Sequence, residues 1–303
     1  MPVRSQPAAV PDPATPTPAT SRPVASDPSA PALAAPRPAA SEPATPAVVV
    51  TDPARPDAPN EDSARLAPGI AVLADGAGVG PAWRAGCSHS VAWYSHALTD
   101  ALAAALADPE LTMRDALAQA ITEVASLHAD TCDLERGGPS ATVVAVRERD
   151  GMLEHLVLCD SSLLLLHRDG SVRRITDLRV DEVTARERTP AAVEAQRNAP
   201  GGFWLARHEP EAAEQALIGA TPLVDLDAAI LVSDGVTRAV DLLDLGDDAD
   251  LARRCRTAGG AQALIAEIRT AEDRLVECGA GPRKPHDDAT IAIHPVGRSA
   301  PRE

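Results

Sequence analysis

A 303-residue chain with a formal net charge of −16 has no basic surplus to offer a phosphate backbone, so a nucleic-acid partner is excluded. Its five cysteines, Cys87, Cys132, Cys159, Cys255 and Cys278, are odd in number and scattered without a CxxC pair; they read as reduced, unpaired thiols of a cytosolic protein, with zinc-finger spacing absent. No apolar run reaches the roughly 18 residues of a membrane span and the N-terminus has no apolar h-region, so the expected location is the cytoplasm, with no membrane partner.

Met1 to Pro46 is built of Pro, Ala, Ser and Thr with almost no large apolar residue. It cannot bury enough surface to offset its ordering entropy, and a disordered Pro/Ala-rich tail is expected over 1–46. Residues 47–297 suit one domain with a sizeable core, followed by a short disordered C-terminus, 298–303. Basic residues are nearly all Arg and alanine is abundant, a composition typical of a GC-rich bacterial genome.

Ala47 to Thr51 is the first strand expected, short and β-branched. A turn rich in Pro and Asp leads through Asn60-Glu61-Asp62 to the apolar run Ile70 to Ala74, which ends in Asp75 and the glycines 76, 78 and 80. A short apolar run closed by glycine predicts a buried strand that delivers a carboxylate to a sheet rim, beside backbone that can approach a ligand closely. From Pro81 to Leu106 the spacing of Val91, Leu98, Leu102 and Leu106 predicts a helix. A second is predicted over Thr112 to Leu127 on the stripe Leu117, Ile121, Val124 and Leu127.

Strands are then expected at Ala141 to Val146, Leu153 to Cys159, Leu163 to His167 and Val172 to Thr176, with turn residues spaced as in an antiparallel meander. Leu178 to Gly202 reads as a polar, mobile insertion holding one short helix at Ala191 to Arg197. A short helix at Glu211 to Leu217, a strand at Ala228 to Ser233 running into Asp234-Gly235, a helix at Ala261 to Leu275 and a last strand at Thr290 to His294 complete the chain. This order predicts an α+β fold, with helices outside two packed, mainly antiparallel sheets. Sustained βαβ alternation is absent, so a doubly wound parallel sheet fits poorly.

Three distant segments place Asp at a strand terminus: Asp75, Asp234, and the Asp287-Asp288 pair before Ala289. Carboxylates brought that close repel one another unless a cation sits between them. Hard divalent ions such as Mg²⁺ or Mn²⁺ prefer such oxygen-only sets, and two of them can activate a water toward a phosphorus atom. The Gly76 to Gly80 loop imitates a dinucleotide fingerprint, but Pro81 stands where a third glycine is needed and Asp75 would repel a pyrophosphate. The eight histidines show no HExxH or paired spacing, so each is expected to be structural or exposed, with His286 capping its turn.

Six blocks in order then resemble the bacterial form of the metal-dependent protein phosphatase 2C (PPM) family: Asn60-Glu-Asp62, Ala74-Asp-Gly76, Gly138-Pro-Ser-Ala-Thr142, Cys159-Asp-Ser161, Ser233-Asp-Gly235 and His286-Asp-Asp-Ala-Thr290. The resemblance runs from about Val48 to Pro295 and implies an α-β-β-α sandwich. It also implies a Mn²⁺/Mg²⁺-dependent serine/threonine phosphatase acting on phosphoproteins, the counterpart of bacterial Ser/Thr kinases. Asp75 would bridge two cations with the carbonyl of Gly76 as a further ligand, and Asp234 and Asp287 would complete one ion. Glu61 and Asp62 would hold water, Arg55 would meet the substrate phosphate, and Asp133 would mark the place of a third ion.

Ala77 stands where some members carry a His general acid, Arg55 lies farther upstream than the family's arginine, and Cys159 replaces a glycine, which reads as a change in sheet packing. The rival expectation is a catalytically weak phosphoprotein-binding or scaffold module that uses the same acidic pocket.

Overall fold

The computed structural model of the chain describes residues 47–77, 81–282 and 284–296. The expected tail 1–46, Gly78 and Gly80, and the expected C-terminus 298–303 lie outside them.

Among the described residues, ten strands form two five-stranded antiparallel sheets. β1 (Val48–Asp52), β2 (Ser63–Ala67) and β3 (Ile70–Ala74) open the chain, and α1 (Val91–Leu106) and α2 (Met113–Ser126) follow. Next come β4 (Val143–Arg149), β5 (Met152–Leu158), β6 (Ser162–His167) and β7 (Val172–Ile175), then α3 (Arg179–Arg186) and α4 (Pro190–Glu194). The chain closes through β8 (Leu217–Pro222), β9 (Leu226–Val232), α5 (Asp234–Asp241), α6 (Asp248–Arg254), α7 (Ala258–Glu277) and β10 (Ala289–Pro295). One sheet runs β1-β10-β9-β6-β7 and the other β2-β3-β4-β5-β8.

The layers follow from period-two alternation. On β3, Ile70, Val72 and Ala74 face α1 and α2, where they join Leu98, Leu102, Leu117 and Ile121 in one buried cluster. Ala71 and Leu73 point the other way, onto Leu163, Leu165, Leu231 and Ala292 between the sheets. The outer face of the first sheet, with Ile230, Val232, Ile291 and Ile293, is covered by Val236, Leu251, Leu264 and Ile268 of α5, α6 and α7. Every strand residue of β3 is therefore buried on one side or the other, which accounts for its unbroken apolar run. Helices, sheet, sheet and helices stack as the expected α-β-β-α sandwich.

Several local expectations are corrected. The helix predicted from Pro81 begins only at Val91, where Ser90 caps it by accepting from the Trp93 amide; Pro81–Arg84 form a 3₁₀ turn and residues 85–90 an irregular loop. The meander is two separate hairpins, β4-β5 in one sheet and β6-β7 in the other. The chain changes sheets at Cys159-Asp160-Ser161. Cys159 has φ +69°, a left-handed backbone conformation that favours glycine, so its place is set by this turn and the expected change in sheet packing is corrected. The 178–202 stretch forms two helices, α3 and α4, with Val183 of α3 buried against Cys159, Phe203 and Leu205. β8 was not expected; it is an edge strand paired to β5 that contains Gly219, ends at Pro222 and is largely exposed on its first half. No helix among the described residues is long and apolar enough to cross a membrane.

Candidate active site

One end of the sandwich collects the acidic strand termini. Asp75 follows β3, Asp234 opens α5 directly after β9, Asp287 precedes β10, and Asp160 sits at the crossing between β5 and β6. The first sheet supplies Asp234 and Asp287 and the second supplies Asp75. All four line one cavity of about 220 Å³, together with Gly76, Ala77, Thr142, Arg197, Phe203 and Lys284.

Backbone hydrogen bonds fix this rim. The Thr142 amide donates to the Asp75 carbonyl at 2.8 Å, the Ala77 amide to Ser140 at 3.0 Å, and the Gly76 amide to the Glu61 carbonyl at 3.1 Å. The Asp234 amide points at Asp75 Oδ2, 3.4 Å away across the two sheets. Gly76 is required by close approach: a Cβ there would lie 2.5 Å from Val91 Cγ1 and 2.7 Å from the Glu61 carbonyl oxygen.

The Asn60-Glu61-Asp62 turn is clamped by Asp288, whose Oδ1 accepts from the Ala54 amide at 2.6 Å and Oδ2 from the Glu61 amide at 2.7 Å. Asp288 thus holds backbone, while Asp287 faces the cavity. Asp287 is met by Lys284 and by Arg238 Nη2 at 2.9 Å. Arg238 is itself held by buried Glu272 at 2.7 Å, and Glu272 also takes Arg269, which reaches Asp52 of β1.

The electrostatics are those of a cation site. Burial, then the charges of Asp62, Asp234, Asp287 and Asp160, hold the Asp75 carboxyl well above the usual range. Burial pushes Asp234 up to about 8, reinforced by Asp287, Asp160 and Asp62 and opposed by Arg238. Asp160 is raised to about 6, chiefly by burial. Asp62 is buried and raised to about 7; neither of its oxygens has a partner at hydrogen-bond geometry, although the Ser233 and Thr290 hydroxyls temper the shift. Orphaned oxygens, crowded carboxylates and a lysine ammonium drawn in among Asp287, Asp75 and Asp234 form a donor set that fits hard divalent cations.

Of the site residues expected from sequence, Asp75, Gly76, Asp234 and Asp287 share the cavity, and Asp62 adjoins Asp75 electrostatically. Glu61 and Arg55 line a neighbouring cavity with Lys284, His286 and Asp288, and Lys284 borders both. Asp133 is not brought to the acids: it is exposed, on the turn before a short 3₁₀ helix, with its amide bonded to Gly86. His286 is turned onto Asp273 of α7 at 2.9 Å.

Arg197 and Lys284 were not singled out, and Asp160 was quoted within the Cys159-Asp-Ser161 block without a role. Asp160 could have been found as another acid closing an apolar strand. Arg197 reaches the cavity only because α4 folds back over it, where it bonds Ser140 Oγ at 3.1 Å and stacks on Phe203.

With this geometry in place, comparison with known proteins gives a consistent answer. The family model described as protein phosphatase 2C matches residues 54–267. Among solved structures, the serine/threonine phosphatase Stp1 from Staphylococcus aureus aligns at 16% identity and TM-score 0.53, over 83% of this chain and 94% of that one. PstP/Ppp of Mycobacterium tuberculosis aligns at 21% and 0.50, over 82% and 97%. MsPP of Mycobacterium smegmatis, a PPM Ser-Thr phosphatase in complex with cacodylate, aligns at 19% and 0.51, over 84% and 99%. At these identities the structural likeness is one of fold. No curated protein sequence matches the chain.

Proposed function

The chain belongs to the protein phosphatase 2C family, and with it to the metal-dependent serine/threonine phosphatases; we propose that the acidic cavity between its sheets is where phosphoserine and phosphothreonine monoesters of proteins are hydrolysed. The observation that supports this most is the convergence of Asp75, Asp160, Asp234 and Asp287, drawn from both sheets, on one cavity. Residues 47–297 are read as the catalytic domain.

In this reading Asp75, the Gly76 carbonyl, Asp234 and Asp287 would hold two Mn²⁺ or Mg²⁺ ions, and a third would meet Asp160 in place of Asp133. Bound there, such cations supply Lewis acidity toward phosphoryl oxygens and make water a stronger nucleophile at neutral pH. The chain's own residues do the rest. Glu61 and Asp62 accept hydrogen bonds from water and fix its direction. Lys284 and Arg197, which line the cavity, neutralise the substrate dianion as it enters, and Arg55 does so from the adjoining cavity. Ala77 carries no proton, so the leaving alkoxide takes one from solvent. The cacodylate in the MsPP structure is a tetrahedral oxyanion of the shape this cavity would receive. Partners of this kind include the substrates of Ser/Thr kinases.

Release of phosphate from a phosphothreonine peptide should require Mn²⁺ or Mg²⁺ and fall at least a hundredfold in Asp234→Ala, since loss of a ligand removes charge stabilisation in the transition state. A binding module would retain the peptide and turn over none of it with any cation, which would refute the enzymatic reading.

A further inference from the structure

The cysteines and histidines that look unrelated in sequence do not stay apart. Cys87, His89, His128 and Cys132 each offer one ligand atom, and these atoms all lie within 4.8 Å of one another. Cys87 Sγ is 3.5 Å from His89 Nδ1 and 3.3 Å from His128 Nδ1, and Cys132 Sγ is 3.5 Å from His89 Nδ1. A tetrahedral zinc with Zn–S of about 2.3 Å and Zn–N of about 2.0–2.1 Å has sulfur–nitrogen edges of about 3.5 Å. Three of the four sulfur–nitrogen edges, at 3.3, 3.5 and 3.5 Å, match that figure.

From this geometry we propose that Cys87, His89, His128 and Cys132 form a structural Zn²⁺ site, separate from the acidic cavity. Two thiolates and two imidazoles are a soft, borderline donor set that selects zinc over the Mn²⁺ and Mg²⁺ suited to carboxylates. Four protein ligands leave no open position, so the site is structural and not catalytic.

Local structure explains how the two halves are built. The Cys132 amide donates to the His128 carbonyl at 2.9 Å, one helical turn beyond α2, which puts an i,i+4 pair on one face. Cys87 and His89 are an i,i+2 pair in the irregular loop that ends at the Ser90 cap of α1, and His89 is steadied by Trp93, ring centroids 4.1 Å apart. α1 and α2 form a hairpin, so the start of one and the end of the other meet, and the ion would staple that open end.

A hydrogen-bonded cluster is the alternative. It fits less well, because each thiol has one proton while Cys87 Sγ faces two imidazole nitrogens and His89 Nδ1 faces two sulfurs. A single cation satisfies all of them together. The staple also bears on the acidic cavity. Gly86, next to Cys87, accepts from the Asp133 amide at 2.8 Å, and from Asp133 the chain runs on to Ser140 and Thr142, which hold Ala77 and Asp75.

The test is elemental analysis of the purified full chain after gel filtration in divalent-free buffer, followed by cobalt substitution. About one zinc per chain is expected, retained in Asp234→Asn and lost in Cys87→Ser and in Cys132→Ser. The cobalt form should show the ligand-field and thiolate charge-transfer bands of a tetrahedral site, which decides the matter in the wild-type chain even if the serine variants do not fold. Zinc well below one equivalent without those bands would overturn the proposal. So would zinc that departs in Asp234→Asn but stays in the serine variants, or a Cys87–Cys132 disulfide found by mass spectrometry in freshly purified, metal-free chain. None of these outcomes depends on whether the chain hydrolyses phosphoesters.

Discussion

Replacing Asp234 by asparagine should make the chain more stable and useless as a catalyst. In the chain freed of Mn²⁺ and Mg²⁺, Asp234 is buried beside Asp287, Asp160 and Asp62, which raises its carboxyl from an ordinary 3.8 to about 8. Holding a proton at pH 7 on a group whose ordinary value is 3.8 costs roughly 4 kcal/mol, at about 1.4 kcal/mol per pH unit. The neighbouring acids share this burden, so the net gain expected is roughly 2 kcal/mol.

The sign follows from the direction of the shift. A carboxyl raised in the folded state supports the fold fully below its ordinary value and loses that support as pH climbs toward 8. Urea titrations at pH 5 and pH 8 should therefore show the wild-type chain weakening with pH and Asp234→Asn weakening less. Adding Mn²⁺ should restore the wild type at pH 8 and leave the variant unchanged. Equal stabilities at pH 8, with no response of the wild type to Mn²⁺, would refute the picture of crowded acids awaiting cations.

Other substitutions probe the frame around the site. Gly76→Ala forces a Cβ to 2.5 Å from Val91 and 2.7 Å from the Glu61 carbonyl, and should cost about 1–3 kcal/mol by denaturation together with most of the turnover. Cys159 combines a buried side chain with φ +69°, so Cys159→Gly trades about 1 kcal/mol of relieved strain against a similar loss of packing and should be milder than Cys159→Ala, the reverse of the usual order. Glu272 is buried between Arg238 and Arg269, and Glu272→Ala should destabilise by about 3–5 kcal/mol in thermal or chemical melts, with Glu272→Gln losing less.

What the sequence made legible was local. Apolar runs closed by Asp-Gly marked β3 and β9 because a strand buried on both faces must be continuously apolar and must end where the backbone turns. The α2 stripe was readable for Leu117, Ile121 and Val124, which one helix face carries into the core, whereas Leu127, expected on the same stripe, caps the helix and is exposed. What was not legible depended on contacts between distant segments. Cys87 and His128 are 41 residues apart and meet only because α1 and α2 form a hairpin. β8 carries a glycine and a proline and is a strand because β5 offers it an edge. Cys159 shows its role only through a dihedral angle that its side chain would ordinarily avoid. Asp133 illustrates the converse: its place in the sequence suggested a ligand, yet it is exposed and does not line the cavity the acids share.

The most direct test is a Mn²⁺ titration followed by electron paramagnetic resonance of the free ion, comparing the wild-type chain with Asp75→Ala. The account predicts that the wild type takes up at least two ions and that the variant loses most of this binding, since Asp75 is among the carboxylates proposed to hold them. Unchanged Mn²⁺ uptake by Asp75→Ala, or none by the wild type, would contradict it.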